Sequence, residues 1–503
     1  MDDLKKKTLQ GLLYLGMGKG AGKFISFATT LVLARLLSPQ DYGLMALVMV
    51  VVGFLQFFNE IGLGSALRQR PEITPEQLDG SFTLSLLISC ALFTALFMLS
   101  PWVADYYEHP ELLPVLRLVA LSFVIGAAST VSDALIARAM RFKYVAAIEF
   151  VMIVLQSALT LLLAWMGYGV WALAWGFIFG QAFKAICIVY LAQWRPRKLG
   201  EVRAAADLMR FGLTVTFTRL TWFFYTNAQT LIIGKTLSPQ ALGIYSMAAS
   251  LASLPTGQVT SMVISVASPL FAKLQHDTKR LNNTLLRLTT GVALINYPIM
   301  IGMACTASEL VPVVLGPTWV EATLPLQVLC LLGLLRTIDP LLTQALTSTG
   351  QVHITARYTS LCAVTIPASV YLGSVLGGLV GVAVGFAVAY PLSSIYLFWS
   401  ARRYLHLSLL SYVKAARLPL EAGAWMAAWV LGVAWLVRAA GLQQDAVVLA
   451  IKVVTGALAY VVFLIYVRSA GLRDCHEVLC ELGVPATKLK GWPFSKLSDG
   501  RMS

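Results

Sequence analysis

The sequence predicts an all-α integral membrane protein of about fourteen transmembrane helices, built as two parallel six-helix repeats that form two lobes, plus two extra C-terminal helices. Composition is the first reason: of 503 residues, 58% are hydrophobic and 12% are charged, whereas a soluble chain carries about 25% charged residues. Mean hydropathy is +0.75. Apolar windows also cover nearly the whole chain, and one motif recurs after 200 residues. These observations exclude a soluble enzyme.

A membrane-spanning helix needs about 20 mostly apolar residues. The longest polar segments, 68–80, 195–208 and 268–287, leave no room for a catalytic domain. The predicted helices lie near residues 12–36, 42–64, 81–104, 113–137, 144–165, 168–194, 208–236, 241–267, 287–308, 322–347, 355–376, 379–401, 415–437 and 447–467.

The first of these windows resembles a signal peptide, because Lys5, Lys6 and Lys7 precede an apolar stretch. That stretch continues to Leu37 without a small-residue cleavage site, so we expect a retained first span.

Basic residues predict the orientation, because Lys and Arg concentrate in short cytoplasmic loops. With the N-terminus in the cytoplasm, most of the 38 Lys and Arg residues fall in predicted inside segments, and the C-terminus is also cytoplasmic. The net charge of +14 therefore reports orientation and contact with anionic lipid, and nothing indicates a nucleic-acid partner. Five basic residues lie at predicted outer ends instead: Arg35, Arg117, Lys235, Arg438 and Lys452.

An internal repeat organises the chain. LVLARLLSPQDYGLM at Leu31–Met45 matches LIIGKTLSPQALGIY at Leu231–Tyr245. Each half holds an even number of helices, so the repeats are parallel, as in transporters whose site lies between two lobes. The predicted regions are an N-lobe (1–200), a C-lobe (201–403), helices 13 and 14 (404–468) and a cytoplasmic tail (469–503).

Basic side chains inside the spans are functional candidates, because a charge in hydrocarbon costs several kcal/mol. Two of them are related by the repeat offset of 200. We expect these cations to line a cavity between the lobes and to bind an anionic headgroup, most simply a phosphate. They are Lys19, Lys23, Lys184, Arg219 and Arg336.

Structural interpretations of the same residues stay open. Lys19 and Lys184 can extend their ammonium groups to the membrane interface. Arg336 can form an ion pair with Asp339, three residues later on the same helix.

Asp339 is the predicted ion-coupling residue. It precedes Pro340, whose ring removes a helix hydrogen bond and opens a kink. A cation-coupled transporter needs a carboxylate that takes up and releases Na⁺ or H⁺, and no other cofactor is expected.

Glycine spacing predicts close helix packing. GMGKGAGKF at Gly16–Phe24 lacks the spacing of a phosphate-binding loop, but its glycines form small-xxx-small pairs. Gly176 with Gly180, and the series Gly377, Gly381 and Gly385, repeat the device.

Two further groups of side chains have alternative interpretations. The aromatic run Trp222–Tyr225 can stack on sugar rings or simply pack. Cys475, His476 and Cys480 lie close together in the tail, but no second ligand pair has zinc-like spacing, so no metal site is predicted. No catalytic residue is predicted either.

Four segments resemble a known family: ARLLSPQDYGLMAL (Ala34–Leu47), IGLGSALRQRPEIT (Ile61–Thr74), PLFAKLQHDTKRL (Pro269–Leu281) and LGPTWVEATLPLQVLCLLGLLR (Leu315–Arg336). They are similar to the polysaccharide-transporter branch of the multidrug/oligosaccharidyl-lipid/polysaccharide flippase superfamily, and most to lipopolysaccharide-biosynthesis and colanic-acid-type exporters.

This resemblance implies a flippase of the bacterial inner membrane. It would turn undecaprenyl-pyrophosphate-linked oligosaccharide units to the periplasmic leaflet by alternating access, for exopolysaccharide or lipopolysaccharide assembly. Membrane lipids, a polysaccharide polymerase and the export machinery are the implied partners.

Two other functions are weighed against it. A multidrug or cation antiporter of the same superfamily needs a cavity suited to cations, which several embedded Lys and Arg residues disfavour. An integral-membrane polysaccharide polymerase generally has a large periplasmic loop, which the spacing of the windows does not allow. We therefore expect a transporter and not an enzyme.

Overall fold

The computed structural model describes residues 20–60, 64, 67, 73–196, 223–224, 226–441 and 444–466, and their regular secondary structure is helical. In chain order the helices are α1 (residues 20–36), α2 (Pro39–Glu60), α3 (Pro75–Tyr107), α4 (Leu112–Arg138), α5 (Phe142–Trp165), α6 (Val170–Ala192), α7 (residues 226–236), α8 (Pro239–Pro255), α9 (Ser261–Leu274), α10 (Thr278–Leu310), α11 (Thr323–Ser348), α12 (Val352–Leu405), α13 (Leu409–Ala439) and α14 (Asp445–Tyr466).

Ten helical segments of the described residues are long and apolar enough to cross a membrane. The all-helical, multi-pass membrane class is therefore confirmed. The number fourteen and the two-repeat arrangement stay predictions, because α1 and α7 adjoin residues outside the described part of the chain.

The longest helix, α12, consists of two arms. Gly377 and Gly378 have non-helical backbone angles, and Gly378 has a φ of 57°, which a residue with a side chain rarely adopts. The predicted windows 355–376 and 379–401 fall on the two arms, one on each side of this break.

Two of the polar segments contain helical residues, 75–80 in the first and 268–274 and 278–287 in the second. Thr74 begins α3 through a capping box: Gln77 N donates to Thr74 Oγ1 at 3.3 Å, and Thr74 N donates to Gln77 Oε1 at 3.2 Å. Asp277 begins α10, since its Oδ1 accepts from Arg280 N at 3.0 Å. Hydropathy windows miss such polar first turns, because capped ends need no apolar side chains.

The chain divides into two compact units, Met1–Gly243 (unit 1) and Ile244–Ser503 (unit 2). The predicted lobe boundary at residue 200 precedes this division. Residues 197–222 lie outside the described part, so that boundary stays a prediction.

In unit 1, α4 packs against α3 and α6, and α5 packs against α6. A buried cluster of Leu67, Leu84, Val131 and Ala134 joins α3 to α4. In unit 2, α10 is central, because α11, α13 and α14 all pack against it, while α12 packs on α11.

Small residues bring helix backbones together, as the glycine spacing predicts. A β-carbon at Gly176 would lie 1.9 Å from Thr160 Oγ1 of α5, and one at Gly180 would lie 2.4 Å from Gln156 Oε1. Between the arms of α12, a β-carbon at Gly381 would lie 2.0 Å from the carbonyl oxygen of Gly373. Packing is thus confirmed at these glycines.

The remaining glycines of that series differ. Gly385 packs against the carbonyl of Ser369, which agrees with the prediction. At Gly377 the packing prediction is wrong: a β-carbon there would meet nothing within 4 Å, because the residue lies at the break in α12.

We expect Gly381→Ala to destabilise the protein, because the two arms of α12 must move apart. Overpacking of this kind costs about 1–3 kcal/mol. The measurement is the midpoint of thermal unfolding in detergent. Gly432→Ala on α13 is the control, since its β-carbon would meet nothing within 4 Å. Equal midpoints for the two variants would contradict the account.

Candidate functional site

The strongest candidate site in unit 2 is a buried carboxylate in the middle of α11. Asp339 is 6% exposed and is followed by Pro340 within the helix. Proline has no N–H, so the carbonyl of Arg336, four residues earlier, loses its usual helix partner. The predicted kink position therefore lies beside the only acidic residue of this helix.

The Asp339 carboxylate is satisfied by hydroxyl groups of α12. Ser394 Oγ donates to Asp339 Oδ2, and Tyr390 hydrogen-bonds to the same carboxylate. Pro391 lies between these two donors. A proline thus interrupts both α11 and α12 at the level where the carboxylate meets its donors.

A second polar group surrounds the turn between α8 and α9. Thr260 Oγ1 donates to the carbonyl of Thr337 at 3.4 Å and accepts from Asn296 Nδ2 at 3.3 Å. Asn296 is fully buried, and its Oδ1 has no hydrogen-bond partner among the described residues. Residues Thr256–Thr260 form a π-helical turn, a local irregularity that is frequent at functional sites.

This arrangement can bind a proton or a small cation. Among the described residues no basic side chain forms an ion pair with Asp339, and burial of an uncompensated carboxylate is costly. A proton or a monovalent cation would remove that cost. The described ranges contain no cluster of three or more His, Cys, Asp or Glu residues that could hold a metal ion.

Arg336 does not pair with Asp339 within the described part of the chain, so the predicted ion pair is wrong. Its Cζ instead lies 5.8 Å from the ring centroid of Phe386, whose ring is 5.7 Å from that of Tyr390. The two charges separate because Asp339 points into the unit, whereas Arg336 is exposed. No carboxylate of the described residues pairs with the Arg336 guanidinium, which remains a candidate for binding an anion.

The cations of unit 1 have different surroundings. Lys184 Nζ lies 3.9 Å from Glu149 Oε1 of α5, and the two side chains are 32% and 29% exposed. Lys23 is exposed on α1. Lys19 and Arg219 lie outside the described residues, so the structure does not test the predicted cationic cavity.

Other predicted groups also fall outside the described residues. Trp222 and Tyr225 of the aromatic run are among them, and so are Cys475, His476 and Cys480.

The sequence did not predict a buried ion-pair cluster that Glu309 forms with Lys452 and Arg438. Glu309, at the end of α10, is 1% exposed. Its Oε1 is 2.7 Å from Lys452 Nζ and accepts from Arg438 Nη2 at 2.7 Å. Ser308 Oγ donates to the other carboxylate oxygen at 3.0 Å. The cluster ties α13 and α14 to α10.

A signal for this cluster was present in the sequence. Lys452 and Arg438 are two of the five basic residues that depart from the predicted charge distribution, and both have a carboxylate partner. Two others also have local partners: Lys235 Nζ is 3.0 Å from Glu108 Oε1, and Arg117 Nε donates to Ser100 Oγ at 3.2 Å. In this chain, at least four of the five basic residues that depart from the predicted charge distribution have a specific partner.

Two cavities accompany these groups. One of about 570 Å³ lies beside the Glu309 cluster, between α10, α11, α13 and α14, and includes Cys305, Gln327 and Trp435 in its lining. A groove of about 790 Å³ in unit 1 runs between α4 and α6 and is mostly apolar, with Gln193 and Arg195 at one end.

Comparison with protein families decides the assignment. A family model described as "Polysaccharide biosynthesis protein" matches residues 32–324, which is more than half of the chain. The chain belongs to this family of polysaccharide biosynthesis proteins. The resemblance to polysaccharide transporters that the sequence motifs indicate is thereby confirmed.

Curated relatives of this family member are named for polysaccharide assembly. The lipopolysaccharide biosynthesis protein WzxC of Escherichia coli K12 is 25% identical over 381 residues, which cover 74% of this chain and 77% of that protein. The succinoglycan biosynthesis transport protein ExoT of Rhizobium meliloti is 26% identical over 353 residues, covering 70% and 72%.

A solved structure shares the fold. The lipid II flippase MurJ in an inward closed conformation superposes with a TM-score of 0.72 at 14% identity, covering 91% of this chain and 99% of that one. At this identity the likeness concerns fold alone. The names of the curated relatives are consistent with a transporter rather than an enzyme.

We expect Lys452→Met to destabilise this protein strongly, because the buried Glu309 carboxylate would keep only Arg438 as a basic partner. Loss of one partner of a buried pair costs about 3–5 kcal/mol. The double variant Glu309→Gln/Lys452→Met should regain most of the lost stability, measured as the unfolding midpoint in detergent.

Arg417→Gln provides the matched control on α13. Arg417 pairs with Glu421 at 2.5 Å, but its side chain is 60% exposed. Exposed pairs contribute at most about 1 kcal/mol. A Lys452→Met midpoint as close to wild type as that of Arg417→Gln would show that the cluster does not hold α14.

Proposed function

We propose that this protein is a flippase for undecaprenyl-pyrophosphate-linked oligosaccharide repeat units. It moves them by alternating access from the cytoplasmic to the periplasmic leaflet of the bacterial inner membrane, for exopolysaccharide or lipopolysaccharide assembly. The observation that carries the proposal is the family match over residues 32–324 in a chain of long apolar helices.

The relatives support the substrate class. One relative is named for lipopolysaccharide biosynthesis, another is named for succinoglycan biosynthesis and transport, and the shared fold occurs in a lipid II flippase. Polysaccharide repeat units are polar, whereas a polyprenyl carrier is apolar, so a protein that turns them over needs a polar path bordered by lipid. Membrane-embedded cations and carboxylates are the residues that such a path requires.

The phosphate-binding part of the proposal rests on basic side chains. Among the candidates that the structure describes, Arg336 has an aromatic neighbour but no carboxylate, so its charge is available to an anion. Lys184 lies 3.9 Å from a carboxylate, which leaves that pair nearly neutral. Lys19, Lys23 and Arg219 complete the proposed set of pyrophosphate-binding residues.

The energy for directional transport enters, in this proposal, through Asp339. The carboxylate binds H⁺ or Na⁺ in one state of the transporter and releases it in the other. Its donors Ser394 and Tyr390 flank Pro391, and Pro340 follows Asp339 itself, so the ion site lies where two helices can bend. Ion occupancy would thereby bias the bend of α11 and α12.

Both termini are cytoplasmic in the proposed topology, and the polar end of the substrate emerges on the periplasmic side. A polysaccharide polymerase and the export machinery would use the product there. A direct test follows a fluorescent or radiolabelled lipid-linked oligosaccharide between the leaflets of vesicles that contain the purified protein. Translocation no faster than in protein-free vesicles would reject the proposed function.

We expect Arg219→Ala to abolish surface polysaccharide in a strain that depends on this protein, because the pyrophosphate would lose a cation. Arg219→Lys keeps the charge and should retain part of the output. The measurements are polysaccharide per cell and the amount of protein in the membrane. If Arg219→Ala is well expressed and the cells still make the wild-type amount of polysaccharide, Arg219 is not part of the binding site.

We expect Asp339→Asn to leave the protein folded but inactive. Asparagine keeps an oxygen that can accept from Ser394, so the unfolding midpoint in detergent should stay close to wild type. It cannot take up and release a proton, so polysaccharide output should fall far below that of the wild-type protein. Gly432→Ala, whose added methyl group meets nothing within 4 Å, is the control and should retain wild-type output.

A further inference from the structure

The two copies of the repeated motif meet in unit 1. Ser38-Pro39-Gln40 begins α2, and Ser238-Pro239-Gln240 begins α8. A β-carbon at Gly43 would lie 1.8 Å from the carbonyl oxygen of Pro239, and one at Gly243 would lie 1.7 Å from that of Pro39. The contact is reciprocal: each copy places its glycine on the proline of the other.

Each copy is a rigid helix start. Ser38 Oγ donates to Asp41 Oδ2 at 2.6 Å, and Asp41 N donates to Ser38 Oγ at 3.2 Å. In the second copy, Ala241 N donates to Ser238 Oγ at 3.1 Å. Each cap satisfies one free N–H group of its helix from within the same copy of the motif, so that hydrogen bond does not depend on the contact between the two helix tips.

The contact continues along α2 and the helical segment that contains α7. Gly234 of α7 packs against Leu47, and Gly53 packs against Phe223. The ring centroids of Phe57 and Phe223 are 5.2 Å apart. From Leu47 to Phe57 the helix rises about 15 Å, so α2 contacts this segment over about half the thickness of a bilayer.

An ion pair borders the outer end of this contact. Lys235 Nζ donates to the carbonyl of Tyr106 at 2.6 Å and to Glu108 Oε1 at 3.0 Å. The hydrogen bond from Lys235 lowers the pKa of the Glu108 carboxyl below its usual value. The Glu108 side chain is 80% exposed, so water competes for both charges and the pair can separate readily.

We infer that the paired Ser-Pro-Gln segments, with Gly43, Gly243 and the Lys235–Glu108 ion pair, form the periplasmic gate of the transport path. The inference rests on the proposed function, because a flippase that works by alternating access must open and close its periplasmic end. In this structure the gate is closed. Its glycines are positioning residues: they let the backbones of the two helix starts touch.

The first test measures closure without any substrate. The seven native cysteines are replaced, and Leu47→Cys supplies a buried reporter beside Gly234. A membrane-impermeant maleimide is added from the periplasmic side. Gly43→Ala and Gly243→Ala should each raise the labelling rate by roughly tenfold, because overpacking holds the two helix tips apart.

Matched controls accompany the labelling. Gly432→Ala should leave the rate unchanged, because its added methyl group meets no neighbour. A reporter at Val430→Cys, which is buried in α13, should stay unreactive in every background. If neither glycine variant changes the labelling rate of Leu47→Cys, the inference of a gate is wrong.

The second test keeps the glycines and locks the contact. Glu108→Cys and Lys235→Cys are joined with a short bifunctional methanethiosulfonate. Translocation of lipid-linked oligosaccharide in vesicles should fall to background and return when the cross-link is reduced. Full transport by the cross-linked protein would overturn the gate. Absence of transport in the wild-type protein would instead reject the proposed function, while the labelling result would still decide the gate.

Discussion

The structure depends on one constraint: hydrocarbon offers no hydrogen bonds, so each polar group in a span needs a partner inside the protein. Serine and threonine side chains meet it locally, as when Thr337 Oγ1 donates to the carbonyl of Gly333 at 2.7 Å. Ion pairs meet it across helices, as at Glu309 and Lys452. Asp339 is the instructive departure, since hydroxyls satisfy its hydrogen bonds but no described cation compensates its charge.

The same constraint explains the use of small residues. Helices in lipid gain little from burying apolar surface against each other, so they associate through close van der Waals packing. Two glycine contacts in this chain show two uses of that packing. Gly373 and Gly381 hold the arms of α12 together beside a fixed break. Gly43 and Gly243 join two separate helix starts, where the contact can be reversible.

The helices were predictable because hydropathy over about 20 residues follows directly from the thickness of the bilayer. The partners of individual charges were not. Glu309 and Arg438 are 129 residues apart in sequence, so only the folded chain shows that they meet. The three-residue spacing of Arg336 and Asp339 predicted an ion pair that the structure does not contain within the described residues. The Asp339 carboxylate instead accepts a hydrogen bond from Ser394, 55 residues away. Arg219 and Lys19 lie outside the described part of the chain, so their role is a proposal from sequence.

We propose that the Asp339 carboxylate in unit 2, which no described cation compensates, couples ion movement to transport. The most direct measurement imposes a pH or sodium gradient across vesicles and compares the translocation rate of wild-type protein with that of Asp339→Asn. The account predicts that one of the two gradients accelerates the wild-type protein and leaves the variant unaffected. Equal acceleration of both proteins would contradict it, and so would a wild-type rate that neither gradient changes.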